Sequence, residues 1–250
     1  MDILKLNQDN ISAQHICCAM SDKKSQNGVM LKKEWLRCRF EEGLVFKKLD
    51  ARGKVFIEYV PAEAAWVPIE APGYTFINCF WVAGSCKGKG YGAKLLRECE
   101  DDSQGKHGIV AISSHKKRPY LSDKRFFVKN GFEVCDTAPP YFELLVKKFD
   151  TDAPDPRFKE IAKRAGIDDE KGLVVMYTDQ CPFTDYYANG ELDEIEKEHQ
   201  IPVKRIKISK KEDAQNAPTP FTTYTAFLDG KFLTHEILNK KKFAALAKGK

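Results

Sequence analysis

The sequence predicts an α/β protein built as two unequal α/β units. Three observations point to this. Apolar runs of strand length alternate with amphipathic helical patterns along the whole chain. The stretch "FDTDAPDPRF", residues 149–158, interrupts that pattern with acids and prolines. A glycine-rich loop sits where one strand gives way to a helix. The interruption predicts a first domain over 1–149, a linker with a short helix over 150–169, and a second domain over 170–250.

In the first unit, "DILKL" reads as a short strand, and "NQDNISAQHICCAMSD" and "SQNGVMLKKEWLRCRFEEG" read as two helices. The second helix carries Leu31, Trp35 and Cys38 at i, i+4, i+7 spacing. A strand-rich block follows, "LVFKKLD", "GKVFIEYVP", "AAWVPIE" and "YTFINCFWVAG", broken by turns at Asp50-Ala51-Arg52-Gly53 and Pro72-Gly73. "YGAKLLRECEDDSQG" reads as a helix and "GIVAIS" as a buried strand. "SDKRFFVKNGF" reads as a short helix capped by Ser122 and stopped at Gly131. "EVCDT" and "FELLVKKF" close the unit as strands. The second unit reads β-α-β-α-β-β-α, with a hairpin turning at Asp229-Gly230.

Composition narrows the partners. The chain is 42% hydrophobic and 31% charged, ordinary for a globular protein. The longest apolar runs, "INCFWVAG" and "GLVVMY", fall far short of the roughly 20 residues that span a bilayer. The start "MDILKLNQDN" shows no apolar signal-peptide core, so a cytoplasmic location and no membrane partner are expected. Eight cysteines with no C-x-x-C pair read as reduced thiols, and Cys17-Cys18 beside His15 lacks further ligands at zinc spacing. No metal is therefore expected. Of the net +5 charge, residues 1–150 hold 24 Lys+Arg against 19 Asp+Glu, while residues 151–250 hold 17 against 17. The excess lies with the glycine loop and has no aromatic-interleaved basic stripe, which argues for a small polyanionic ligand and against nucleic acid.

That loop, Lys87-Gly88-Lys89-Gly90-Tyr91-Gly92, lies between a strand and a helix. A magnesium-nucleotide loop would need a hydroxyl after its lysine, and Gly90 follows Lys89 instead. A dinucleotide fingerprint fits Gly88-x-Gly90-x-x-Ala93, and the cations of "SSHKKR" downstream could hold a 2′-phosphate. Such folds normally open with this unit, though, and here about 75 residues of helices and hairpins precede it. An NADP-binding oxidoreductase is kept as the lesser alternative.

The pattern [Q/R]-x-x-G-x-[G/A] between strand and helix marks the acyl-CoA loop of the GNAT superfamily of N-acetyltransferases, and Lys87–Gly92 resembles it with Lys87 at the Gln/Arg position. "FFVKNGFEV" resembles the second signature of that family. More closely, the whole chain resembles its YoaP-type members through "HICCAMSDKK", "FKKLDARGKVFIEYVPAEAAWVPI" and "VCDTAPPYFELLVKKF". The resemblance implies acetyl-CoA as cosubstrate. Its pyrophosphate would lie on Lys87, Gly88, Lys89, Gly90, Tyr91 and Gly92, and its pantetheine arm beside Phe80, Trp81 and Val82. Converging backbone N–H groups at a helix start make such a loop an anion site. The implied function is transfer of an acetyl group to a primary amine of a small molecule, amino acid or peptide. A homodimer is kept open.

The family's usual acid is a tyrosine four residues before the Gly-Phe of the second signature, and here that position is Phe127, which has no proton to give. Three readings stay open. The CoA thiolate leaves unaided, or Tyr120, Tyr141 or Cys135 substitutes, or the domain binds acyl-CoA without fast transfer. Glu58 in "VFIEYV" alternates with apolar neighbours, so it faces away from the core or into a cleft and is the candidate base. Tyr120 is the favoured acid. His15 is a further candidate for the acceptor site.

Residues 170–250 resemble a thioredoxin-like fold in element order, with Cys181-Pro182-Phe183-Thr184 where such folds carry C-x-x-C. A cysteine at a helix start is expected to have a lowered pKa. Pro220 is the candidate cis-proline. The resemblance thus implies a mixed-sheet acyl-CoA N-acyltransferase (GNAT) domain followed by a smaller thioredoxin-like α/β domain. The alternative function is a thiol-dependent redox or sensor protein using Cys181, in which acyl-CoA binding is regulatory.

Overall fold

A computed structural model describes residues 2–51 and 53–248. Seven strands form the first sheet: β1 (Ile3–Leu6), β2 (Val45–Leu49), β3 (Val55–Pro61), β5 (Tyr74–Val82), β6 (Gly108–Ser114), β8 (Phe142–Lys148) and β7 (Glu133–Ala138), neighbours in that order. A short pair, β4 (Ile69–Glu70) with β9 (Arg157–Phe158), lies apart from it. Only β5 and β6 run parallel, and the other pairings in the large sheet are antiparallel. A doubly wound parallel dinucleotide fold is therefore excluded.

The sheet is covered on both faces, and strand alternation deals its side chains between two cores. On β3, Phe56 and Val60 join a core with Leu36, Phe46, Phe76 and Phe142, while Ile57 and Tyr59 join another with Leu95, Leu96, Phe127 and Leu145. Helix α1 (Gln26–Phe40) supplies Leu36 to the first core. Helices α2 (Tyr91–Asp102) and α3 (Lys124–Lys129) supply Leu95, Leu96 and Phe127 to the second. Each fully buried Phe or Leu contributes roughly 2–3 kcal/mol through apolar burial. Period 2 therefore also fixes which face Glu58 takes: it shares that of Phe56 and Val60, beneath α1.

Several elements differ from expectation. Residues 7–22 form turns, not a helix: Asn7 Oδ1 accepts from the N–H groups of Asp9 and Asn10, and Cys17 and Ala19 adopt left-handed φ of +63° and +54°. In α1 the fully buried positions are Gly28, Lys32 and Leu36, one residue out of phase with the Leu31/Trp35/Cys38 stripe. Of "AAWVPIE" only Ile69–Glu70 is strand. The cap of α3 is Asp123, whose carboxylate accepts from Arg125 N–H, and not Ser122. Gly131 does end that helix in left-handed backbone (φ +87°). The turn expected at 50–53 includes Arg52, which lies outside the described residues.

The second sheet orders β11 (Val203–Lys207), β10 (Leu173–Tyr177), β12 (Tyr224–Leu228) and β13 (Lys231–Thr234), with β10 and β11 parallel and the rest antiparallel. A helical segment made of α4 (Thr184–Tyr186), a π-turn (Tyr187–Glu191) and α5 (Leu192–His199) follows β10, then α6 (Lys211–Ala214) follows β11, and α7 (Lys240–Ala247) is the last described helix. This is the element order the sequence predicts. Among the described residues the cis peptide is Pro139–Pro140, so Pro220 is not a cis-proline.

The two sheets are joined by specific contacts. A Cβ on Gly28 would lie 2.0 Å from Pro182 O, so only glycine lets α1 approach the Cys181–Pro182 turn this closely. Asn27 Nδ2 donates to Asp185 Oδ2 at 2.7 Å, and Gln215 Nε2 donates to Glu63 O and Ala65 O at 2.9 and 3.0 Å. Buried His235 donates from Nε2 to Pro119 O at 2.8 Å, which leaves Nδ1 to accept from Tyr141 O–H at 2.6 Å. Burial pushes the His235 imidazole down to about 4, so it is neutral at neutral pH.

Candidate active site

β5 pairs with β6 from Tyr74–Ile77 against Gly108–Ala111, and there the pairing stops. Beyond it, β5 continues to Val82 on β3, and β6 continues to Ser114 on β8. The two parallel strands therefore splay, leaving the inner edge of residues 78–82 with backbone N–H and C=O groups that no neighbouring strand among the described residues takes. A bulge at Asn78 re-aims this half of the strand: Glu58 pairs with Cys79 and Tyr59 with Ile77, so Asn78 stands outside the ladder. Asn78 is the single polar amide in "YTFINCFWV", a signal the sequence offers.

The glycine loop lies at the outer end of this split. Gly88 and Gly90 have φ of +76° and +77°, and the space a Cβ would take at either is open, so their requirement is conformational. Gly92 is constrained by packing, since a Cβ there would lie 3.1 Å from the Phe126 ring. Gly90 is the N-cap of α2, and the first turn of that twelve-residue helix faces the loop with its N–H ends. Lys87 and Lys89 flank it, both exposed. This assembles an anion cradle of the kind that holds a pyrophosphate.

A cavity of about 530 Å³ opens from the split on the α1 side of the sheet. Phe80 and Trp81 line it, whereas Val82 packs into the opposite core with Val55 and Phe80 and does not. Glu58 lies on its wall, fully buried, with Lys32 Nζ donating to its two carboxylate oxygens at 2.9 and 2.7 Å and Asn78 Nδ2 donating to Oε1. The cleft alternative for Glu58 is thus the one realised, and the residue is ion-paired, not solvated. Removing one partner of such a pair costs about 3–5 kcal/mol, because a lone charge is then left in an apolar wall.

Tyr120 also lines the cavity. Its backbone is left-handed (φ +65°), which costs a residue with a Cβ about 1 kcal/mol or more. The preceding carbonyl, Pro119 O, is held by His235 of the second sheet. Burial raises the Tyr120 phenol to about 12. A phenol above a thiol's ordinary value of about 8.5 donates a hydrogen bond to a thiolate but has no drive to surrender its proton.

The other candidates are placed elsewhere. Tyr141 is bonded to His235 with Arg118 3.7 Å over its ring, and Cys135 Sγ donates to Leu144 O at 3.4 Å. Neither lines the cavity. Phe127 is fully buried against Phe80, Phe126 and Phe132, so its position supports the core and not the chemistry. His15 lines a neighbouring cavity instead.

From the second unit, Cys181, Pro182 and Phe183 close one wall of the main cavity, and Cys18 and Cys79 lie on it as well. The expectation of a lowered Cys181 pKa is overturned: burial pushes that thiol up to about 11, with only weak relief from the Phe183 N–H and Lys32. Burial raises Cys18 and Cys79 too. Sequence reasoning missed Lys32, because nothing in "MLKKEW" says which lysine turns inward.

The split strands, the helix-capping glycine loop and the family signatures agree. The Acetyltransferase (GNAT) family model matches residues 16–132, and a YoaP-like family model matches residues 202–244. The chain belongs to the GNAT acetyltransferases, and as a member it is an acyltransferase that uses acetyl-CoA. Within that family it is 45% identical over 98% of its length, and 98% of the relative's, to a Bacillus subtilis (strain 168) protein described as "Uncharacterized N-acetyltransferase YoaP". Among solved structures, a GNAT-family acetyltransferase from Desulfovibrio desulfuricans is 16% identical with a TM-score of 0.43, covering 59% of this chain and 99% of its own. The PaiA N-acetyltransferase of Thermoplasma acidophilum, solved with coenzyme A, is 19% identical with a TM-score of 0.41, covering 60% of this chain and 100% of its own.

Proposed function

We propose that the protein moves the acetyl group of acetyl-CoA onto a primary amine of a small molecule, amino acid or peptide bound in the α1-side cavity. The observation that carries this reading is the coincidence, at one end of the sheet, of the unpaired half of β5, the glycine cradle and a cavity walled by Glu58. The loop Lys87–Gly92 would take the pyrophosphate on its N–H groups and two lysines. The free edge of residues 78–82 would pair with the amides of the cofactor arm, beside Phe80 and Trp81. An N–H of that edge is also suited to receive the oxyanion of the tetrahedral intermediate.

Glu58 is the carboxylate on the cavity wall and the candidate acceptor of the proton that the incoming ammonium must lose. Lys32 and Asn78 fix its orientation. Tyr120 would donate a hydrogen bond to the departing thiolate, which leaves without a full proton from the enzyme. We divide the chain into the acetyltransferase domain (1–149), a linker (150–169) and a thioredoxin-like module (170–250) that serves as a wall of the acceptor cavity. The raised Cys181 thiol argues against a redox role for that module. No helix among the described residues is long and apolar enough to cross a membrane.

Titration calorimetry with acetyl-CoA and NADPH, followed by CoA release with a panel of primary amines, tests the proposal. Binding of acetyl-CoA and amine-dependent CoA release are expected. Binding of NADPH without acetyl-CoA would overturn it.

A further inference from the structure

A second cavity, about 590 Å³, lies against the first, and Ile16 and Cys18 line both. Lys48 on β2, only 1% exposed, is on its lining. Among the described residues no carboxylate balances that charge: Lys48 makes no ion pair, and its polar contact is His15 Nε2 at 3.3 Å. His15 can accept from it in one tautomer only. Nδ1 of His15 accepts from Cys17 N–H at 3.2 Å, which places the neutral ring's proton on Nε2, where Ala51 O lies 3.2 Å away. Nε2–H and the Lys48 ammonium are then two donors facing each other. The opposite tautomer merely moves the conflict to Cys17 N–H.

A buried ammonium without a balancing carboxylate is costly, and it is retained here on the lining of a cavity. Lys33, whose Nζ donates to Ser12 O at 3.0 Å, adds a second cation on the same lining, and Asp50 is the exposed carboxylate there. The register sets the distance to the acetylation site. Phe46 stands opposite Glu58 and Lys48 opposite Phe56, so Glu58 and Lys48 are diagonal neighbours on one face, roughly 7–8 Å apart with their Cβ atoms somewhat closer. Consecutive residues of α1 serve the two cavities: Lys32 lines the first and Lys33 the second.

We propose that Lys48 holds the anionic group of the acceptor, so that the substrate is a primary amine bearing a carboxylate a few methylenes away. The amine faces Glu58, the carboxylate takes the Lys48 ammonium, and the aromatic surface of Phe46 and Phe56 covers the methylenes between. This rests on the acetyl-transfer reading above. A carboxylate at Lys48 also resolves the His15 conflict, because the ammonium then no longer needs Nε2.

The test uses the full chain and three probes: δ-aminovalerate, n-pentylamine, and valerate, which has the carboxylate but no amine. With wild-type protein, kcat/KM for CoA release should favour δ-aminovalerate over n-pentylamine by about tenfold to a hundredfold, the range a charged hydrogen bond confers. In Lys48→Met that ratio should fall to near one, and Lys48→Arg should retain part of it. Calorimetry should show valerate binding to wild-type protein and not to Lys48→Met. The melting temperature of Lys48→Met should hold or rise, since an unpaired buried charge is removed, and this separates lost recognition from misfolding. An unchanged ratio, or valerate binding equally to both proteins, overturns the anion subsite. If no amine is acetylated, the acetyl-transfer reading fails, and the valerate titration still decides the fate of Lys48.

Discussion

His235 links the second unit to the loop that presents Tyr120, and its environment makes that link sensitive to acid. Its side chain is fully buried, donating to Pro119 O and accepting from Tyr141 O–H. Burial lowers its pKa from 6.5 to about 4. The folded state thus binds fewer protons here than the unfolded state between those two values. Stability from this group is complete above about 6.5 and is lost progressively as pH falls towards 4. Linkage across that interval gives a loss of about 2 kcal/mol between about pH 7 and pH 5, and a ceiling of about 3 kcal/mol at lower pH. The assay is urea unfolding of wild type and His235→Gln across this range. Glutamine can donate to Pro119 O and accept from Tyr141 but does not titrate. The wild type should lose about 2 kcal/mol more than the variant on going from about pH 7 to pH 5. Parallel profiles would refute the claim that His235 is held neutral by burial.

Three further outcomes are expected. Gly90→Val forces a β-branched residue into left-handed backbone at the N-cap of α2, so acetyl-CoA affinity measured by calorimetry should fall at least about tenfold. Phe127→Tyr places a hydroxyl in a fully buried aromatic cluster, so it should cost about 1–3 kcal/mol in denaturant unfolding and should not raise kcat. Lys32→Met strands Glu58 and should cost about 3–5 kcal/mol, most of which the double variant Lys32→Met/Glu58→Gln should recover.

Much of this was legible in the chain. Alternation in "VFIEYV" placed Glu58 on the face opposite Ile57 and Tyr59, and positive φ at Gly88 and Gly90 is what glycine spacing beside a helix start implies. The longer strands of both units follow from local apolar pattern, whereas the short β4–β9 pair does not. Local pattern failed where tertiary contacts outweighed it. The 7–22 stretch has helical composition, but side-chain bonds from Asn7 and left-handed backbone at Cys17 and Ala19 turn it back on itself. The lysines gave no warning, because 32 and 48 look like surface residues by type and are buried by position. Cys181 was expected to be reactive from its place before a helix, and burial against α1 reversed the shift.

By itself the sequence determined the order of elements in the second unit, the glycine spacing at the start of α2 and membership of the acetyltransferase family, since each depends on residues near one another in the chain. Only the tertiary structure decided where β5 parts from β6, that Glu58 meets Lys32, and that the second unit walls the cavity with Cys181 and steadies Tyr120 through His235. Those facts depend on contacts between residues far apart in sequence, and a charge or thiol takes its chemistry from the neighbours that folding gives it.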